Sequence, residues 1–225
     1  MTQYKGYYID HIYFHSKAEI DAIAKVCEKA GIYVISDEIY EKILFDGVHL
    51  SLASLPDLRD RVITVNGFSK CAAMTGWRLG YVCGRREIVA AMTKLHQYGI
   101  MSAPTTSQYA AIEAMRNGDK DIQKMRDEYD GRRRFLVSGF RKLGLECFEP
   151  KGAFYTFPCI KSTGLGSEEF CERLLKEKHV AVVPGNAFGE SGEGFIRISY
   201  CYSIKHITEA LKRMREFLEE RGLCK

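Results

Sequence analysis

Five side chains in the first half of the chain could do chemistry at meaningful spacing: Asp37 with Tyr40, Ser69 with Lys70, and Arg78. Each group borders a short apolar run that reads as a strand. Ile32-Tyr-Val-Ile35 runs into Ser36-Asp-Glu-Ile-Tyr40, and Arg61-Val-Ile-Thr-Val65 runs into Asn66-Gly-Phe-Ser-Lys70. Arg78 opens a third run, Trp77-Arg-Leu-Gly-Tyr-Val-Cys83. The carboxyl ends of strands in a parallel sheet are where ligands bind. A lysine there, beside a tight Asn-Gly turn, is a candidate activated amine. A carboxylate one strand away can hold a protonated ring nitrogen, and an arginine close to both can clamp a phosphate. Taken singly, each has a plain alternative: a surface lysine, a helix-capping aspartate, a salt-bridged arginine.

The elements that must position these groups follow from the pattern. Ser16-Lys-Ala-Glu19 has the form of a capping box, followed by Ile20, Ile23, Ala24 and Cys27 on one helical face and by Gly31 as a stop. A helix feeding a continuous apolar strand is an α/β unit. Helices are expected over Arg86–His96, around Tyr109–Met115 and from about Lys120 to Leu143. Up to about residue 120 the chain reads as part of a parallel sheet covered by helices, with Trp77 in the core. Beyond it, Leu145–Phe148, Ala153–Phe157, Val180–Val183 and Phe195–Tyr200 read as short strands. Helix Glu168–Lys178 and a final helix bearing Ile204, Ile207, Leu211, Met214, Phe217 and Leu218 complete a small α+β domain. The expected division is 1–125 and 126–225.

Composition excludes several classes. Thirty-three basic against 29 acidic residues leave a net charge of only +4, too mixed for a nucleic-acid footprint. No run approaches the length of a membrane span, and the first 20 residues have no apolar signal-peptide core. The eight cysteines include no CxxC pair, which fits buried free thiols in a reducing, cytoplasmic compartment better than a zinc site or disulfides. No metal is expected.

The run Val65-Asn-Gly-Phe-Ser-Lys-Cys-Ala-Ala-Met-Thr-Gly-Trp-Arg-Leu-Gly80 resembles the Schiff-base signature of the class I/II aminotransferases, which use pyridoxal 5′-phosphate (PLP) on the aspartate aminotransferase fold (fold type I). Ser36–Tyr40 resembles that family's ring-nitrogen segment. Pro150-Lys-Gly-Ala-Phe-Tyr155, Val182-Val-Pro-Gly185 and Phe195-Ile-Arg-Ile-Ser199 resemble its small-domain landmarks, in the family's order. The context Met74–Arg78 is similar to the aspartate/aromatic branch.

The resemblance implies an α/β fold: a partial fold type I large domain with a mainly parallel sheet, over 1–125, and a small α+β domain over 126–225. It implies that Lys70 forms the Schiff base with PLP and shuttles the substrate Cα proton, that Asp37 pairs with the pyridine nitrogen, and that Tyr40 hydrogen-bonds the ring's 3′ oxygen. Arg78 would bind the cofactor phosphate, supported by Ser69, although Gly67 stands where the family often has a small polar residue. Arg197 would take the substrate α-carboxylate. Substrates would be an amino acid and a 2-oxo acid, and the enzyme a cytoplasmic homodimer with neither nucleic acid nor membrane as partner.

The match covers the family's C-terminal portion only. The family's earlier half supplies the phosphate cradle, a ring-stacking aromatic and an Asn that contacts the ring; Ile9-Asp10-His11-Ile12 stands in the last one's place. Turnover is therefore expected to need that half, supplied by another chain, and to fail without it. The aromatic-rich stretch from Met1 to Phe14 is a candidate cover for the sheet edge left open. Two further readings share the motifs. One is another fold type I PLP reaction, such as a C–S β-lyase, separable by release of ammonia and pyruvate without a 2-oxo acid. The other is a non-catalytic, partner-binding fragment.

Overall fold

A computed structural model describes residues 16–223. The expected cover by Met1–Phe14 and the contact region at Ile9–Ile12 lie outside the described residues, as does Cys224. The chain divides into two compact units, meeting between Arg126 and Asp127.

The first unit opens with helix α1 (Lys17–Ala30). The Ser16 hydroxyl accepts from the Glu19 backbone N–H, and the Glu19 carboxylate accepts from the Ser16 N–H at 2.7 Å, so the capping box forms in full. Gly31, at φ 65°, ends the helix in the left-handed conformation that glycine adopts without a Cβ clash. Ile20 and Cys27 turn inward onto Leu52, Leu58 and Val62, and this cluster ties α1 to the sheet.

Among the described residues that sheet has three strands, in the order β1 (Val34–Asp37), β2 (Val62–Gly67), β3 (Gly80–Cys83). β1 and β2 run parallel, but β2 and β3 run antiparallel, so the described sheet is mixed and not wholly parallel. Only 12 residues separate Gly67 from Gly80, a loop able to return the chain but too short for a right-handed crossover helix. Helices α2 (Arg86–Gly99) and α3 (Thr105–Asn117) follow.

Some local expectations change. Asn66-Gly67 ends β2 and is not a turn. Trp77 belongs to a 3-10 turn, Thr75–Trp77, and is 47% exposed, not core. Among the seven described cysteines, all free, Cys27, Cys147 and Cys171 are buried, whereas Cys83 and Cys201 are exposed. Cys83 lies on an edge strand.

Helix α4 (Asp119–Lys142) carries the chain into the second unit. There β4 (Tyr155–Thr156), β5 (Val183–Pro184) and β6 (Ile196–Ser199) form an antiparallel sheet in the order β4-β6-β5. Helices α5 (Ser167–Lys178) and α6 (Ile204–Glu219) pack through Phe170 and Phe217, whose rings meet edge-on at 5.3 Å. Gly139 lets α4 approach α6: a Cβ there would stand 2.5 Å from Leu211 Cδ1. Leu145–Phe148 alternates buried and exposed as a strand does, yet it forms no ladder. Among the described residues, its backbone is held by two bonds outside regular elements: the Leu145 N–H donates to the Phe140 carbonyl at 3.0 Å, and the Glu146 carbonyl accepts from the Cys159 N–H at 2.7 Å.

Candidate functional site

The mixed sheet assembles the first cluster. Asp37 closes β1 opposite Val65 of β2, and Gly67 closes β2 opposite Gly80, the first residue of β3. Because β3 is reversed, its beginning lies at the same edge as the ends of β1 and β2. Asp37, the Ser69–Lys70 loop and Arg78 therefore emerge from one edge of one sheet. β2 and β3 meet closely here: a Cβ on Gly67 would stand 3.1 Å from Gly80 Cα and from the Leu79 carbonyl oxygen.

The loop from Phe68 to Leu79 is held by its own hydrogen bonds. The Phe68 carbonyl accepts from the N–H groups of Ala72 and Met74, both at 3.2 Å. The Thr75 hydroxyl donates to the Ser69 carbonyl at 3.0 Å, and Arg78 Nη1 donates to the Thr75 carbonyl at 2.9 Å. Thr75 thus links the backbone beside Lys70 to the Arg78 guanidinium. Ala73 and Arg78 both hold φ near 53°, a conformation costing a non-glycine residue about 1 kcal/mol or more and concentrated at functional sites. Phe68 and Met74 anchor the loop on Ala111 of α3, and Ser107 of α3 donates to the Trp77 carbonyl at 2.7 Å. A cavity of about 490 Å³ is lined by Cys71–Ala73 of this loop, by α3 and by the start of α4. Burial pushes the Cys71 thiol up, with the nearby Glu41 charge acting the same way.

After β1 the chain turns twice. The Asp37 carboxylate accepts from the Ile39 N–H at 3.1 Å, and the Glu38 and Tyr40 carbonyls accept from Glu41 and Ile43. Asp37 is exposed, while Tyr40 is buried to 9% exposure. Between them stands Glu38, to which no spacing in the sequence assigns a role. Its carboxylate is buried, yet accepts from Ser36 Oγ at 3.0 Å, Ser51 Oγ at 2.7 Å and His49 Nε2 at 2.9 Å. Burial pushes this carboxyl up, but the His49 and Ser51 hydrogen bonds, the His49 charge and the Ser36 bond together hold it below its ordinary value. No spacing rule points to His49 and Ser51, 11 and 13 residues further on. The only available signal was the position of Glu38 inside the Asp37–Tyr40 motif.

Arg197 belongs to the second unit, on β6. Its guanidinium carbon lies 4.2 Å from the Phe188 ring centre and 4.7 Å from that of Tyr155. Tyr155 comes from β4 and Phe188 from the turn after β5, so two neighbouring segments hold one cation. The residue also lines a cavity of about 520 Å³ with Tyr155, Tyr202 and residues of α6. A positive group held by aromatic faces at a cavity wall suits a carboxylate ligand. Tyr155 and Phe188 were not singled out from sequence, since nothing local marks an aromatic as an arginine's support.

A protein-family model described as aminotransferase class I and II matches residues 14–214. Among curated proteins, the chain is 47% identical over 210 residues to an aspartate aminotransferase of Pyrococcus abyssi, covering 92% of this chain and 54% of that protein. It is 43% identical over 211 residues to aromatic-amino-acid aminotransferase 2 of Thermococcus litoralis, with the same coverage on both sides. A solved aromatic aminotransferase from Pyrococcus horikoshii superposes with a TM-score of 0.90 at 45% identity, over 93% of this chain and 57% of that one. The chain thus spans about half the length of the relatives it matches.

Proposed function

Since this chain belongs to the class I and II aminotransferase family, a PLP-dependent family of fold type I, we propose that it forms the PLP-bearing part of an enzyme that moves an amino group from an amino acid to a 2-oxo acid. The single observation that carries this reading is the convergence of Asp37, Ser69–Lys70 and Arg78 on one edge of one sheet. The donor set suits the cofactor: an amine for its aldehyde, a carboxylate for its ring nitrogen, a phenol for its ring oxygen and a guanidinium for its phosphate.

When bound, PLP supplies the electron sink that makes an amino-acid Cα acidic. The chain's own residues do the remainder. Lys70 anchors the cofactor and then carries the proton from the substrate Cα. Asp37, as a carboxylate, keeps the ring nitrogen protonated. Tyr40 donates to the ring oxygen. Arg78 neutralises phosphate charge, with Ser69 beside it, and its link to Thr75 holds its head against the lysine loop. Arg197 receives the α-carboxylate, which every candidate amino acid shares. The 2-oxo acid binds through the same group.

In this proposal the first unit is the partial large domain and the second the small domain. Turnover requires the part of the fold that the relatives have and this chain does not span, and the assembled enzyme is a cytoplasmic homodimer of the aspartate/aromatic branch. No helix among the described residues is long and apolar enough to cross a membrane.

The test is an absorbance titration of the 225-residue chain with PLP, beside Lys70→Ala. A new visible band, absent in the variant and altered by an added amino acid, supports the reading. Identical spectra for both proteins would remove Lys70 from the chemistry. Ammonia release without a 2-oxo acid would redirect it to elimination.

A further inference from the structure

Glu38 occupies an expensive position. An ionised carboxylate taken out of water costs several kcal/mol unless its oxygens are matched by donors. An apolar side chain could have joined the same segments without that cost. Here three donors from two segments meet one carboxylate: Ser36 within β1, and His49 and Ser51 from the stretch that leads into the 3-10 turn Leu52–Ser54. Ser51 Oγ is itself fixed, accepting from the Ala53 N–H at 3.3 Å. The Glu38 N–H also donates to the Val65 carbonyl at 2.9 Å, extending the β1–β2 ladder by one residue.

Successive residues of an extended chain point to opposite faces. Asp37 is exposed and Glu38 is buried, so the two adjacent carboxylates leave the backbone on different sides. One faces outward at the sheet edge, and the other is bolted from behind. Tyr40 follows two residues later, inside a turn closed on the Glu38 carbonyl by the Glu41 N–H at 3.0 Å.

We propose that Glu38 is a positioning residue: its carboxylate, gripped by Ser36, His49 and Ser51, holds the turn that presents Asp37 and Tyr40 to the cofactor ring. The proposal rests on the PLP reading above. Glu38 touches neither cofactor nor substrate; it acts through the backbone that joins its two neighbours. Other titratable groups around it are Glu41, whose carboxylate lies within 4.8 Å of the ligand atoms of both Glu38 and His49, and Tyr81 of β3, which feels the charges of both glutamates.

The experiment compares wild type, Glu38→Gln and Ser51→Ala in PLP titrations, each followed by a pH titration of the visible band, with melting curves on the apo-proteins. Gln keeps the shape but removes the charge, and its amide N–H can meet His49 Nε2 only after the imidazole gives up the proton it donates to the carboxylate. The expected result is PLP binding weakened about ten-fold in Glu38→Gln, as for supporting residues behind other cofactor ligands. The midpoint of the band's pH titration should also move by roughly half a unit or more, because the ring partners are displaced. Ser51→Ala should shift both quantities in the same direction by less, and it decides the matter if Glu38→Gln fails to fold. A wild-type chain without any band would overturn the PLP reading and this inference with it. A wild-type band whose affinity and midpoint are unchanged in both variants would overturn the role of Glu38 alone.

Discussion

The guanidinium of Arg197 stands 4.2 Å over the ring of Phe188, a residue nine positions away in sequence and carried by the turn that follows the neighbouring strand. Phe188 is in turn braced edge-on by Phe157 at 5.6 Å. This stacking restrains a long side chain before any ligand arrives, so less rotamer freedom is lost on binding.

Removing the ring should therefore act on binding. In the assembled, active enzyme, Phe188→Ala is expected to raise KM for the amino acid roughly five- to ten-fold, matching a cation–π contact of about 1 kcal/mol. kcat should change little. Steady-state kinetics would check this, and an unaltered KM would separate Phe188 from the work of Arg197.

Thr75 offers a sharper handle on the lysine loop. Thr75→Val preserves shape and deletes the hydroxyl that donates to the Ser69 carbonyl at 3.0 Å. A loss of about 1 kcal/mol in denaturant unfolding is expected, together with weaker PLP binding. Retained PLP affinity would mean that the loop holds its form without this bond.

The Glu38 cluster predicts a pH dependence with a definite sign. The folded carboxyl is held below its ordinary 4.5 by the His49, Ser51 and Ser36 contacts, against the opposing effect of burial. Its contribution to stability is fully present above that ordinary value and is lost as pH falls through the lower folded value. The stability gap between wild type and Glu38→Gln should be widest near neutral pH and should close below 4.5. Chemical denaturation at stepped pH measures it, and a gap independent of pH would contradict the assignment.

The thiols should divide by access. Cys83 and Cys201 are exposed, whereas Cys171 is buried and its thiol is pushed up to about 11 by that burial. In the native chain at neutral pH, an alkylating reagent should label Cys83 and Cys201 first. Cys171 and Cys147 should react only on unfolding. Peptide mass mapping would read the order, and early labelling of Cys171 would show that α5 opens locally.

Much of the fold was legible wherever the relevant partners lie a few residues apart. Ser16 and Glu19 are three positions apart and cap each other, so the start of α1 follows from spelling alone. Gly31 ends that helix because its own backbone can turn left-handed. The apolar period of α6 places Ile207, Met214, Phe217 and Leu218 inside, where they are found, whereas Ile204 at its first turn is exposed.

What only the tertiary structure decided was which distant segment stands opposite. Trp77–Cys83 had strand composition, but whether it ran with β2 or against it depended on how the loop through Ser69–Lys70 returns. The reversal brings Arg78 back to the edge that holds Asp37. Leu145–Phe148 alternates as a strand should, yet no described strand pairs with it in a ladder, and a strand exists only as one member of a pair. The three donors on Glu38 and the two rings on Arg197 have the same origin. Capping and helical periodicity are local energies, written within one or two turns of chain. Burying a charge is a collective matter, settled by whichever distant groups the folded backbone brings within hydrogen-bond reach.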